Sequence, residues 1–304
     1  MTIDIPDDLP VVVEQRRHEE GRRWLERLPS LLGAAATRWD LELGPPFRGG
    51  SAAWAGPVRR RTDGLRCVLK VTLPHREARF EGAGLALWGG EGAVRLIDAH
   101  DDDFALLIEE CLPGSTLLDH PAPPEERLAL AAGVLRRLWS VPVPNDAPFE
   151  RVADVCADWA ELVRRRMEEH RPPLDSGLVE VGATLLESLP ASATRSVLVH
   201  GDFNPTNLLR SEREPWLAID AKPMIGDPGY DPLSLVLQVG DPVADGLVLP
   251  RYTLVAEVLA EPVERLLAWS VARLVESALW HVSRGEDPLR TMGQARVLAE
   301  VAGL

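Results

Sequence analysis

Apolar residues recur at helical spacing near the start of the chain. Trp24, Leu25, Leu28, Leu31, Leu32 and Trp39 fall three, four or seven positions apart, with charged residues between them. This pattern predicts that the first forty residues form a packed helical cap. Past the Gly/Pro-rich stretch over residues 43–56 the period changes. Residues 64–74 alternate and are β-prone, with a turn at Asp63-Gly64 before them, which predicts a hairpin or meander. Residues 76–88 suit a short helix, and residues 93–114 read as two strands around an acidic turn, closed by Pro113-Gly114.

Beyond residue 112 helical periodicity takes over. It runs through Pro124–Trp139 and again through Arg151–Glu169, where Val152, Val155, Trp159, Leu162, Val163 and Met167 mark one face. The strand-like segment over residues 196–200 then leads into a loop. Residues 207–210 and 215–220 form a hairpin around residues 211–214, and further helices run from about Asp231 to the end. The expected plan is α+β: a smaller β-rich N-terminal lobe over residues 1–112, a short hinge, and a larger helical lobe over residues 113–304, with a cleft between them.

Composition narrows the function classes. Hydrophobic residues make up 45% of the chain and are spread along it, so a packed core is expected rather than disorder. No run approaches the roughly 20 apolar residues of a membrane-spanning helix. The acidic start, MTIDIPDDLP, does not look like a secretory signal, and a cytoplasmic protein with no membrane partner is expected. A net charge of -14 argues against a nucleic-acid partner and favours a cationic small-molecule ligand. Cys67, Cys111 and Cys156 lack CxxC spacing and are read as reduced core thiols. Among 33 basic residues only Lys70 and Lys222 are lysine, and Asn occurs only at 145, 204 and 207.

Two of those asparagines lie in HGDFNPTN, residues 200–207, which is followed by IDAKPMIGDPGYDP, residues 219–232. Asp202 and Asn207 are five positions apart, the spacing that separates base from metal ligand in the catalytic loop of kinases. Phosphoryl transfer needs a carboxylate to orient the acceptor hydroxyl, and oxygen ligands that hold Mg2+ across the phosphates of ATP. Asp202 is assigned the first task, and Asn207 with Asp220 the second. His200 is read as a supporting, hydrogen-bonded residue.

Lys70 lies in an apolar strand, where burial of its ammonium calls for a pairing partner or a ligand. Contact with the nucleotide phosphates explains it, with Glu81 preferred over Glu77 as its carboxylate. Glu109, Glu110, Cys111 and Leu112 form the hinge, whose backbone groups face adenine. Residues 49–56 either cover the nucleotide or form a plain turn, and Lys222 either reaches a phosphate or sits on a surface loop. Asp231 is expected to N-cap a helix, with Pro232 at its first position and Gly226 and Gly229 in tight turns. Asp227 either binds an amine of the acceptor or braces the loop carrying Asp220. No GxxxxGK[ST], GxGxxG, HExxH or GxSxG motif occurs, which removes Walker-type, Rossmann, zincin and hydrolase readings.

With these residues in place, the chain resembles the aminoglycoside phosphotransferase superfamily, and within it the streptomycin 6-kinase and hydroxyurea phosphotransferase group. The resemblance rests on WLERLPSLL and WDLELGPP near the start, on residues 68–97, and above all on VHGDFNPTNLL with WLAIDAKPMIGDPGYDP. It implies a protein-kinase-like bilobal fold, Asp202 as catalytic base, Asn207 and Asp220 as magnesium ligands, and Lys70 paired with Glu81 around the nucleotide. The activity it implies is ATP-dependent phosphorylation of a hydroxyl on a small molecule such as streptomycin. Hydroxyurea, a housekeeping amino sugar, or a catalytically silent kinase-like binding module are the alternatives. Acidic residues of the late helices, Glu264, Glu276 and Asp287, either hold a cationic antibiotic or form a solvated face.

Overall fold

The alternating segment around Lys70 becomes the central strand of a five-stranded antiparallel sheet in the computed structural model, which describes residues 5–304. The described chain divides into two units, residues up to Gly114 and Ser115–Leu304.

In the first unit, α1 (Pro10–Gln15) and α2 (Glu19–Arg38) precede the strands β1 (Leu41–Leu43), β2 (Ala53–Arg60) and β3 (Arg66–Thr72). Next come α3 (Glu81–Trp88), β4 (Leu96–His100) and β5 (Ala105–Glu109), giving the sheet order β1-β2-β3-β5-β4. Strand β3 is buried at every position after Arg66, as its neighbours β2 and β5 on either side require. Leu28, Leu32 and Ala35 on one stripe of α2 are fully buried in a cluster with Leu69, Val71 and Leu107 of the sheet. Each buried leucine is worth about 1.5–3 kcal/mol, so this stripe is enough to fix α2 on the sheet.

The helical cap expected over the first forty residues is present as two helices, with two non-helical stretches. Residues 5–9 are not helical, because Pro10 starts α1 and holds Leu9 extended, at φ -64 and ψ 136. A second break at Arg16–His18 separates α1 from α2. The part of the expectation that covers residues 1–4 lies outside the described residues. The stretch over residues 49–56 is not one loop either: Ala53–Gly56 belong to β2, paired residue by residue with Thr72–Leu69.

The second unit is helical around two short ribbons. Its helices are α4 (Pro124–Ser140), α5 (Val152–His170), α6 (Ser176–Ala191), α7 (Pro232–Gln238), α8 (Val248–Leu259), α9 (Val263–Ser283) and α10 (Leu289–Ala302). The hydrophobic α9 lies at the centre of this unit, and α5, α6 and α10 pack on it. Strand β6 (Val197–Val199) pairs with β9 (Met224–Gly226), and β7 (Leu208–Arg210) pairs with β8 (Trp216–Ala218). The expected hairpin around residues 211–214 is the β7–β8 ribbon. Helix α6 and strand β9 are additions to the sequence reading. A β-rich first unit and a mainly helical second unit agree with the expected α+β class. Among the described residues no helix is long and apolar enough to cross a membrane.

Candidate active site

Within the first unit, Lys70 sits mid-sheet, opposite Ala55 of β2 and Leu106 of β5. Its side chain is 9% exposed, and its Nζ donates to Glu81 Oε1 at 2.6 Å and Oε2 at 2.7 Å. Glu81 opens α3, so one helical start delivers the carboxylate that a buried ammonium requires. Glu77, the alternative partner, lies in the preceding 3₁₀ turn.

In the segment read as the hinge, one backbone group is already engaged. Glu109 ends β5 with its N–H bonded to Arg95 O at 2.9 Å, and its carboxylate accepts from Arg95 N at 3.0 Å. The Glu109 N–H is therefore not available to an adenine. Glu110 forms a two-pronged ion pair with Arg66, at 2.8 and 3.0 Å, while Cys111 is buried and Leu112 precedes a cis Pro113.

In the second unit, β6 and β7 flank the loop that carries Asp202, and Asn204 organises it. Asn204 Oδ1 accepts from Thr206 N at 3.0 Å, Asn207 N at 3.2 Å and Thr206 Oγ1 at 2.5 Å. Its Nδ2 donates to Asp202 O and Asp202 Oδ1, both at 3.2 Å. Asn207 Nδ2 donates to Asp202 O at 3.0 Å, which leaves its Oδ1 as the atom able to meet a cation. Asp202 is 31% exposed, and its Oδ2 lies 3.6 Å from Lys222 Nζ. One carboxylate oxygen is thus held by Asn204, and the other faces Lys222 and solvent.

Asp220 follows β8 and has a left-handed backbone, φ 59, a conformation that Asp adopts more readily than most residues. Ile219 N bonds Asn207 O at 2.9 Å and Lys222 N bonds His200 O at 2.8 Å, so the two motif segments are stitched together on either side of Asp220. The close approach explains Gly201, at φ +83: a Cβ there would lie 2.0 Å from Lys222 O.

His200 is fully buried, and its two ring nitrogens share the same task. Nε2 donates to Ile219 O at 3.0 Å, while Nδ1 accepts from Asp202 N at 3.3 Å, an arrangement that needs the neutral ring. Burial lowers its pKa, against the opposing pull of Asp231 and Asp202. The folded pKa therefore lies below the unfolded one, and the unfolded chain takes up a proton that the folded chain refuses. Stability from this group is present above about pH 6.5 and falls as pH drops below it, by at most about 1.4 kcal/mol per pH unit. Urea midpoints between pH 7 and pH 5 should fall more steeply for the wild type than for His200→Gln; equal slopes would refute this assignment.

In the second motif one expectation is corrected, for Asp231, and of the two readings of Asp227 the bracing one fits. Asp231 stands at the N-terminal boundary of α7 but caps nothing with its side chain. Instead it turns inward, fully buried, where Oδ2 accepts from His200 N at 2.9 Å and Trp139 Nε1 at 3.0 Å, and Oδ1 from Gly201 N at 2.8 Å. Burial pushes its pKa up, while His200 and these donors pull it down. Asp227 is 2% exposed and accepts from Trp269 Nε1 at 2.6 Å, Gly229 N at 3.0 Å and Arg265 Nε at 2.8 Å. It braces its loop and is not placed to bind an acceptor amine. Glu276 pairs with Arg166 at 3.1 Å, Asp287 accepts from Leu289 N at 2.9 Å, and Glu264 is exposed at the start of α9.

Asn207 and Asp220 each carry a hard side-chain oxygen, and among the described residues no cluster of three or more His, Cys, Asp or Glu could hold a metal ion. This donor set fits magnesium, which takes one or two protein oxygens and completes its shell with phosphate and water.

Comparison with known proteins shows the family and the fold. The 304-residue chain matches the aminoglycoside/hydroxyurea antibiotic resistance kinase family over residues 38–285. It is 34% identical to streptomycin 6-kinase of Streptomyces griseus, covering 93% of this chain and 92% of that protein. It is 33% identical to hydroxyurea phosphotransferase of Kitasatospora aureofaciens, covering 99% and 87% respectively. In fold it is similar to a choline kinase from Streptococcus pneumoniae, with TM-score 0.64 and 14% identity over 90% of this chain and 99% of that one. It is also similar to a macrolide 2'-phosphotransferase from Brachybacterium faecium, with TM-score 0.60 and 20% identity over 90% and 97%. The fold is thus that of the kinase-like phosphotransferases, and the chain belongs to the aminoglycoside/hydroxyurea antibiotic resistance kinase family.

Proposed function

We propose that this protein is an ATP-dependent O-phosphotransferase whose acceptor is an aminoglycoside, streptomycin first among the candidates. The observation that carries the reading is the state of Asp202: one carboxylate oxygen is fixed by Asn204, and the other is left open toward solvent beside Lys222. An acceptor hydroxyl that reaches that second oxygen is oriented for in-line attack and can pass its proton to it.

Asn207 Oδ1 and the Asp220 carboxylate would hold Mg2+. When bound, the ion offsets the charge that develops on the transferring phosphoryl group. Lys70, fixed by Glu81, would neutralise the nucleotide phosphates, and Lys222 would steady the exposed oxygen of Asp202. His200 and Asp231 keep the loop in shape without touching the reaction.

The 34% identity to a streptomycin 6-kinase over nearly the whole chain supports the acceptor. Phosphorylation of hydroxyurea is the second reading, favoured by the 33% identity to a hydroxyurea phosphotransferase over 99% of the chain. Incubation with ATP, magnesium and each acceptor, followed by mass spectrometry, should yield streptomycin carrying one added phosphate. Product from hydroxyurea alone would select the second reading. No product and no nucleotide binding would leave a catalytically silent kinase-like module.

A further inference from the structure

With Ala53–Gly56 placed in β2, residues 49–52 are what remains of that Gly-rich stretch as a loop. Both ends of the loop are bonded into the sheet. Phe47 N donates to Ala55 O at 2.8 Å, and Leu73 N donates to Ala52 O at 2.8 Å. Between them the N–H groups of Arg48, Gly49, Gly50, Ser51 and Ala52 donate to no protein group among the described residues, and Arg48 to Ser51 are exposed. Successive open N–H groups suit an anion. Ala55 stands opposite Lys70, and Ala52 is three positions before it, about 10 Å away at about 3.3 Å per residue. A lysine side chain and the phosphates of a nucleotide together span that distance.

What holds the tip of this loop comes from the helical cap. Gln15 ends α1, is 7% exposed, and its Nε2 donates to Ser51 O at 2.7 Å. This bond joins the tip to a fixed point. Leu9, Val11 and Val12 are buried in one cluster with Trp54, Leu69 and Val71, which alternate along their strands with Ala55 and Lys70. Helix α1 therefore grips the loop from the face of the sheet opposite Lys70. The Gln15 amide is itself confined by the start of α2: a Cβ on Gly21 would lie 2.6 Å from Gln15 Oε1 and 2.3 Å from Gln15 O. Beside it Arg48 pairs with Asp8, an exposed contact that adds little.

We infer that α1 is a tether for the nucleotide loop, and that Gln15 is a positioning residue which holds the open N–H groups of residues 49–52 where the phosphates of ATP arrive. The inference rests on the reading of the protein as an ATP-dependent enzyme. It gives the helical cap a task in nucleotide binding that needs no contact between cap and nucleotide.

The test separates the tether from the ligand. Gln15→Met keeps the length of the side chain and loses the donor. Without nucleotide, its amide hydrogen exchange over residues 47–52 should quicken at least about threefold, while exchange in β3 stays as in the wild type. By titration calorimetry, ATP with magnesium should bind about three- to tenfold more weakly than to the wild type, and adenosine should bind alike to both. A purely structural role would weaken ATP and adenosine together, or lower the urea midpoint with both affinities intact, and either result would overturn the assignment. Unchanged exchange over the loop would rule out the tether. If the methionine variant fails to fold, Gln15→Ala removes the same donor without crowding Gly21 and should give the same two results. If the wild type binds no ATP, the proposed function fails and the phosphate role with it, and hydrogen exchange still decides the tether.

Discussion

Asp202→Asn should lower kcat by about 10²–10⁴-fold, the usual worth of a positioned general base. It should leave KM for both substrates and the urea midpoint close to wild type. The contrast follows from where the two oxygens point. Asparagine keeps the size of the side chain and can still present an oxygen to Asn204 Nδ2, which is 3.2 Å from Asp202 Oδ1. At 31% exposure the side chain carries little of the fold, and its pair with Lys222 at 3.6 Å is too loose and too solvated to matter much for stability. What asparagine cannot do is accept the hydroxyl proton on the oxygen facing solvent. Steady-state kinetics beside a urea titration of the same sample would check both halves. Full activity would remove Asp202 from the chemistry, and a large loss of stability would show that it holds the loop together.

The sequence displays the candidate chemical residues and hides what holds them. Lys70 and Glu81 were readable because a strand and the helix after it lie close in the chain, so the pairing depends on local geometry. The β7–β8 ribbon was readable for the same reason: apolar runs on both sides of a polar turn leave little choice. Asp231 looked like an N-cap because Asp-Pro before a helix is a local signal. Its actual partners come from positions 31, 30 and 92 residues away, and no local pattern announces them. Asn204 stands out in the sequence by its rarity only; its role depends on both ends of one amide facing two different neighbours. Helix α6 is hard to read from the sequence because its apolar face, with Val179, Ala183 and Leu186 buried, is less sharply periodic than that of α5. Its start had a readable sign in Asp175, which accepts from Gly177 N and Leu178 N. Strand β9 is three residues long, too short for any alternation to show.

Asp231→Ala should destabilise the protein by about 3–5 kcal/mol, a large share of the roughly 5–15 kcal/mol that holds a domain folded. The carboxylate is fully buried, and three N–H groups point at it, from His200, Gly201 and Trp139. Alanine leaves all three without an acceptor in a place water does not reach, at about 1–3 kcal/mol for each orphaned group before the loop relaxes. Asparagine should help little. Its oxygen can serve one side of the site, but its NH2 then faces a donor on the other, so a like-for-like shape becomes a donor–donor conflict. Both variants should lose activity together with stability, because His200 and Gly201 lead directly into Asp202. That is the opposite of the Asp202→Asn signature, in which activity falls and the fold stays. Urea titration followed by Trp fluorescence measures the loss, and a midpoint within error of wild type for Asp231→Ala would mean that the loop is held by something other than this carboxylate.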